Sequence, residues 1–263
     1  MPVRGILADS PKRLSFHWMS FRSWYCILCT ILTIADTVLT ANMVIVKGDL
    51  DVRSIEPVIF HVNTLSASIG FLDLAGHWPE LMRKWERVER QLPPHQDWRK
   101  REALSVRIHR VTFVLIALSL TERLLSTISA IHFANYCPVR KDPIESYFYS
   151  VVTQIFITFE YSTFFAWFGK ILNVLMTFDW SYMDVFLMII GIGLSSLFEQ
   201  VQGSLNQSKS KAMPESFWTQ TRLQYRLICD LVEEVDSAVS RIIMLSFASN
   251  LYFVCIQLLK SMK

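Results

Sequence analysis

The chain has 263 residues, of which 52% are hydrophobic and only 19% charged, too apolar a balance for one or two ordinary soluble domains and one that points to the membrane class. Eighteen Phe, eight Trp and eight Tyr against eight Gly exclude a collagen-like or disordered chain, because so much apolar surface has to be buried. With 26 Lys and Arg against 23 Asp and Glu the formal charge is +3, which lacks the basic excess of a nucleic-acid binder, so no nucleic-acid partner is expected.

Residues 1–23 carry Arg4, Lys12, Arg13 and Arg22 but no apolar run followed by a small-residue cleavage site, and they read as a cytosolic flank rather than a signal peptide. Residues 24–46 hold one charge, Asp36, and exceed the roughly 20 residues a helix needs to cross a bilayer. A hydrophilic turn at 47–56 leads to Pro57 and a second span, 57–78, in which Asp73 is the one charged side chain. The segment 79–110 then mixes nine Lys or Arg with acidic residues and reads as a cytosolic loop by the positive-inside rule. Within it Leu81, Trp85, Val88 and Leu92 recur at helical spacing, so the second span continues as an amphipathic helix until Pro93-Pro94; a helix lying on the lipid surface is the other reading.

A third span, 111–134, contains the adjacent Glu122 and Arg123. The tract 147–199 is apolar with few charges, and its length fits either two crossings or one span that projects into the cytosol. Hydropathy alone favours two. Residues 200–241 form a polar segment with a helical stretch, and 242–260 a last span.

The five cysteines, including the Cys26/Cys29 pair, sit mostly in apolar runs and read as packing residues. His61, His77, His109 and His132 lack ligand spacing, so no metal is expected. Gly191 and Gly193 lie in an apolar helix, where small residues permit close packing. No phosphate loop, nucleophile elbow or other catalytic constellation occurs, so neither enzyme activity nor a cofactor is expected.

Several segments carry a resemblance. The runs TFDWSYMDVFLMIIGIGLSSLFEQVQGSL and PESFWTQTRLQYRLICDLVEEVDSAVSRIIMLSFASNLYFVCIQLL, the early SPKRLSFHWMSFRSWY, the DPIESYF loop and the WPELMRKWERVE segment resemble the sugar-taste subfamily of insect gustatory receptors, in order and over essentially the whole chain. The resemblance implies an all-α polytopic membrane protein of the plasma membrane with a seven-helix fold and a cytosolic N-terminus. It also implies assembly as a homo- or hetero-tetramer into a sugar-gated, non-selective cation channel. Because the match reaches only the fifth helix, with no counterpart of the sixth or of the TY…QF signature of the seventh, the expectation is a partial chain without the pore helix. The same resemblance makes 147–199 a single long fourth helix, with 200–241 cytosolic and 242–260 the fifth. A non-conducting fragment that modulates full-length subunits and an unrelated polytopic membrane protein or enzyme are the competing classes.

Intramembrane acids are costly unless they face a cavity or a partner, which singles out Asp36, Asp73, Glu122, Glu160 and Asp184. A sugar offers hydroxyl donors to a carboxylate and a C–H face to an aromatic ring, so an acid flanked by aromatics suits it. Glu160 fits best, with Tyr161 adjacent and Phe156, Phe164 and Trp167 expected on one helical side. An interhelical partner for Glu160, with the aromatics facing lipid, is the alternative. Glu122 is expected in a buried interhelical bond more than on ligand, and Asp73 is a weaker ligand candidate, as is Asp36.

Overall fold

The computed structural model describes residues 1–4, 11–48, 52–93, 98–136, 142–209 and 212–262, with the backbone alone for 52–54 and 98–103. Two short strands, β1 (Val3–Arg4) and β2 (Ser15–Phe16), pair antiparallel around a 3-10 turn. Everything else of regular structure is helical: α1 (Phe21–Lys47), α2 (Val52–Gln91), α3 (Trp98–Tyr136), α4 (Pro143–Val151), α5 (Thr153–Thr158), α6 (Thr163–Ser208) and α7 (Glu215–Ser261). Five of these, α1, α2, α3, α6 and α7, are long and apolar enough to cross a membrane.

Contacts divide the chain into two compact units. The first comprises Met1–Ser23, Gly70–Phe113 and Asp184–Lys263, and α7 supplies much of its core. Ile228, Leu231, Val235, Val239, Ile242, Ser246 and Ser249 are buried at steps of three and four residues, the spacing that keeps one stripe of a helix against its neighbours. Gly70 on α2 lies against Ile242, and Gln224 donates to the Gln91 carbonyl at 3.1 Å. Lys84 pairs with Glu234. Within the same unit the Asp184 carboxylate on α6 accepts from Ser246 at 2.6 Å and Asn250 at 3.3 Å, which satisfies an acid that lies in an apolar helix.

The second unit comprises Trp24–Ile69 and Val114–Met183. Around the middle of α6, Asp179 accepts from Ser68 at 3.3 Å, Ser181 and Ser119 share a 2.6 Å hydrogen bond, and Trp180 stacks on Phe60 at 5.3 Å. These contacts join α6 to α2 and α3. The most apolar window of α3 has none of its residues buried; Leu118, Leu120, Leu124 and Leu125 stand exposed, as in a helix whose surroundings are themselves apolar.

The expected single helix over 147–199 differs in three ways. Residues 143–158 form two short helices of their own, α6 begins only at Thr163, and it continues to Ser208. Val152, at φ −127° and ψ 42°, separates α4 from α5, and Phe159, extended at φ −120° and ψ 151°, ends α5. Ser162 then takes the Ala166 N–H on its carbonyl at 2.9 Å and starts α6. From there the helix is unbroken through Asp179 and Trp180, where a second crossing would need a turn. Its 46 residues make about 69 Å at 1.5 Å per residue, over twice a bilayer's hydrocarbon core. The expected polar segment 200–241 is likewise the end of α6 and the first half of α7.

This continuity carries a prediction for Asn206, which lies exposed in the last turns of α6 and begins the sequon Asn206-Gln207-Ser208. With the N-terminus expected in the cytosol and an unbroken α6 expected to cross once, Asn206 is expected on the cytosolic side, away from the luminal transferase and without a glycan. A glycosidase-sensitive mass shift lost in Asn206→Gln would show instead that the tract crosses twice or that the expected orientation is reversed.

Candidate functional site

The second unit concentrates the chain's polar and aromatic chemistry on α4, α5 and the start of α6. Asp142 accepts from the Ile144 N–H at 3.0 Å and precedes Pro143, so α4 starts with a side-chain cap and a proline at its first position. Phe148, Val152, Ile155, Phe156 and Ala166 form a buried cluster, with Leu39 of α1 and Tyr147, Tyr149, Val151 and Tyr161 packed against it. Gly169 makes this docking possible, since a Cβ there would meet Ile155 at 2.5 Å and Val152 at 3.0 Å. Tyr161 stacks on Tyr149 at 5.8 Å and leans on Phe156 at 5.3 Å, Trp167 meets Phe148 edge-on at 5.3 Å, and the Lys170 ammonium lies 5.4 Å over the Tyr147 ring. Burial, with Glu145 and Asp142 nearby, lifts the Tyr161 phenol above its usual value, so it remains a hydrogen-bond donor at neutral pH.

Beneath this aromatic shelf runs a buried polar link. Gln154 of α5 donates to Asp36 of α1 at 3.1 Å, and His61 Nδ1 of α2 stands 3.2 Å from the other Asp36 oxygen, off the line of a hydrogen bond. Asp36, His61 and Gln154 are all buried. The carboxylate therefore hydrogen-bonds α5 to α1 and lies against α2, which holds α5 in place through its side chain as well as its apolar face. The Asn63 amide nitrogen and the Nε and Nη2 atoms of Arg123 have no hydrogen-bond partner among the described residues.

The six candidates from the sequence fall differently from their expected arrangement. Glu160 is exposed and lies between α5 and α6, outside any helix, so the expected helical face shared with Phe156, Phe164 and Trp167 does not exist. Tyr161 and Trp167 do join one aromatic cluster with Phe156 and Phe148. Phe164 is 72% exposed and stacks on Phe168 at 6.2 Å. Glu122 is exposed and makes no buried interhelical bond among the described residues, because it points away from the face of α3 on which Arg123 is half-buried. Asp73 belongs to the first unit, where Arg241 of α7 approaches it at 3.6 Å. Asp36, a weaker candidate from the sequence, is buried and accepts from Gln154 beside His61. His61 and Gln154 were legible only as polar residues inside apolar runs; judging histidines by metal spacing alone passes over them. Among the described residues no three His, Cys, Asp or Glu side chains come together as a metal site.

Among the described residues, five apolar helices of membrane-crossing length in a predominantly helical chain define a polytopic α-helical membrane protein. Residues 1–263 match the family described as Trehalose receptor, and the chain belongs to it. It is 49% identical to Gustatory receptor 5a for trehalose from Drosophila melanogaster, covering 99% of this chain and 58% of that protein. It is 39% identical to Gustatory receptor for sugar taste 64f of the same organism, covering 100% of this chain and 56% of the relative. Gustatory receptor for sugar taste 64a is 33% identical over 98% of the chain and 58% of its own length. The chain thus spans under two thirds of the curated relatives it matches. The family is one of receptors rather than enzymes.

Proposed function

We propose that the chain is the sugar-sensing part of a taste receptor, with trehalose or a similar small sugar as ligand, acting as a subunit of a sugar-gated, non-selective cation channel. In this reading it lies in the plasma membrane with residues 1–23 cytosolic and assembles into a homo- or hetero-tetramer. Three crossings by α1, α2 and α3 then leave 143–162 outside, where a dissolved sugar arrives. The observation that carries the reading is an exposed carboxylate, Glu160, beside an aromatic shelf that Asp36 and Gln154 fasten to the bundle. A sugar hydroxyl donates to Glu160, the Tyr161 phenol donates to a sugar oxygen, and the exposed ring of Trp167 covers the C–H face. The family match and the names of the relatives support the sugar.

Dose–response recordings from cells expressing the full-length receptor test this site. Glu160→Gln keeps the side chain's shape but removes the charged acceptor, worth about 1.5–3 kcal/mol to a bound donor. The sugar concentration for half-activation is expected to rise at least tenfold at unchanged surface expression. A well-expressed Glu160→Gln receptor with the parent's dose response removes Glu160 from the site. Sugar-evoked current in cells that express this 263-residue chain alone tests the channel part separately.

A further inference from the structure

The first unit contains a cleft of about 990 Å³ between α2, α3 and α6, within the size range of small-molecule sites. None of its lining belongs to the aromatic shelf. Trp78 meets Phe186 at 5.3 Å, and seven residues further along both helices Trp85 abuts Gly193, so α2 and α6 run parallel here. Along both, the lining changes in the same direction. It is apolar at Trp78, Met82, Ile189 and Ile190, and turns polar at Glu86, Glu89, Arg90, Ser196 and Gln200, where Leu92, Pro93 and Leu197 interrupt the polar end. Each helix reaches this stretch from its own apolar span, so the polarity gradient follows the membrane normal, apolar towards the bilayer and polar away from it. That is the alignment of a lipid in a leaflet; a soluble polar ligand would leave the apolar end unmatched, and a soluble apolar one the carboxylates.

The rim also distinguishes between head groups. It offers two carboxylates and one guanidinium, and Arg90 uses one nitrogen on Glu86 at 2.5 Å, leaving further N–H donors free for an anion. An ammonium and a phosphate side by side complement this set, whereas a purely anionic head group would meet Glu86 and Glu89 with like charge.

We propose that this cleft is a binding site for one phosphoethanolamine lipid, its acyl chain against Trp78 and Ile189, its phosphate at Arg90 and its ammonium at Glu89. The site does not depend on the sugar reading, since it requires only that α2 and α6 leave the membrane together.

The purified chain, passed through nanodiscs of mixed phosphatidylethanolamine, phosphatidylcholine and phosphatidylglycerol and released into detergent, tests it by native mass spectrometry. One retained lipid per chain is expected, with the ethanolamine lipid favoured over the glycerol lipid about tenfold, the ratio that one charge-assisted contact supports. Ile108→Trp, which fills the cleft from α3, is expected to abolish retention. Glu89→Lys, a change on the partly exposed rim that spares the core, is expected to keep a lipid but shift the preference to the anionic one. No retained lipid overturns the proposal, as it would if another stretch of polypeptide filled the cleft. Retention untouched by Ile108→Trp, which would mark annular lipid, overturns it too, as does a parent chain that prefers phosphatidylglycerol or a Glu89→Lys chain that still prefers phosphatidylethanolamine.

Discussion

Asp36→Ala is expected to lower the thermal midpoint of the purified chain by several degrees, while Asp36→Asn leaves it nearly unchanged. An interhelical hydrogen bond between membrane helices contributes on average only about 0.6 kcal/mol, so loss of a single contact would be barely detectable. Asp36, however, is buried, accepts from the buried Gln154 of α5 at 3.1 Å and stands 3.2 Å from the buried His61 ring of α2. Alanine leaves the Gln154 amide, which otherwise donates to the carboxylate, in an apolar interior with nothing to replace it. A buried group left unmet costs about 1–3 kcal/mol, more than the mean worth of the bond itself, and at about 2–4 °C per kcal/mol for a chain of this size the shift is resolved. Asparagine retains an oxygen for Gln154 and presents an amide N–H to the imidazole. An Asn variant as damaged as the Ala variant, measured by fluorescence-detected thermal denaturation in detergent, would show that the charge of Asp36 rather than its acceptors holds α5.

That network also marks where the sequence stopped being readable. The spans in α1, α2, α3 and α7 are evident in hydropathy because each must present about 20 apolar residues to lipid, whatever its neighbours, whereas for α6 hydropathy alone favoured two crossings. The buried stripe of α7 is evident as well, since Ile228, Leu231, Val235 and Val239 repeat at helical intervals in an otherwise charged segment. The start of α6 is not. Across 147–178 only Glu160 and Lys170 are charged, no Gly or Pro marks Val152 or Phe159, and the breaks there come with the packing of α5 against α6. The weak local signal was Ser162 before Thr163, a residue type that favours the start of a helix. Tyr161 and Trp167 do meet one aromatic cluster, but through Phe156 and Phe148 and not along the helical face that the spacing was to provide. Asp73 and Glu122 looked alike as acids in apolar runs; only the position of Arg241 on α7, over 160 residues from Asp73 along the chain, sets them apart.

Gly169 provides the stricter test of the shelf, because its role is steric and carries no polar group. A Cβ at this position would lie 2.5 Å from Ile155 Cδ1, 3.0 Å from Val152 Cγ1 and 3.3 Å from Val152 Cβ. The Ile155 methyl is the end of a flexible side chain and can turn away. The Val152 atoms are close to the backbone of a stiff, fully buried residue and cannot move without moving α5. Gly169→Leu is therefore expected to push α5 off α6, exposing Ile155 and Phe156 and costing about 1–3 kcal/mol as an overpacked interface. Glu160 and Tyr161 follow α5 directly, so the sugar concentration for half-activation should rise more than tenfold. Gly191→Leu is the control, since a Cβ at Gly191 meets nothing within 4 Å and the helix gains by losing a glycine. With both variants in the full-length receptor and matched for surface expression, a normal dose response in Gly169→Leu would mean that the contact between α5 and α6 does not shape the sugar site. A response lost in Gly169→Leu and kept in Gly191→Leu would tie sensing to that contact.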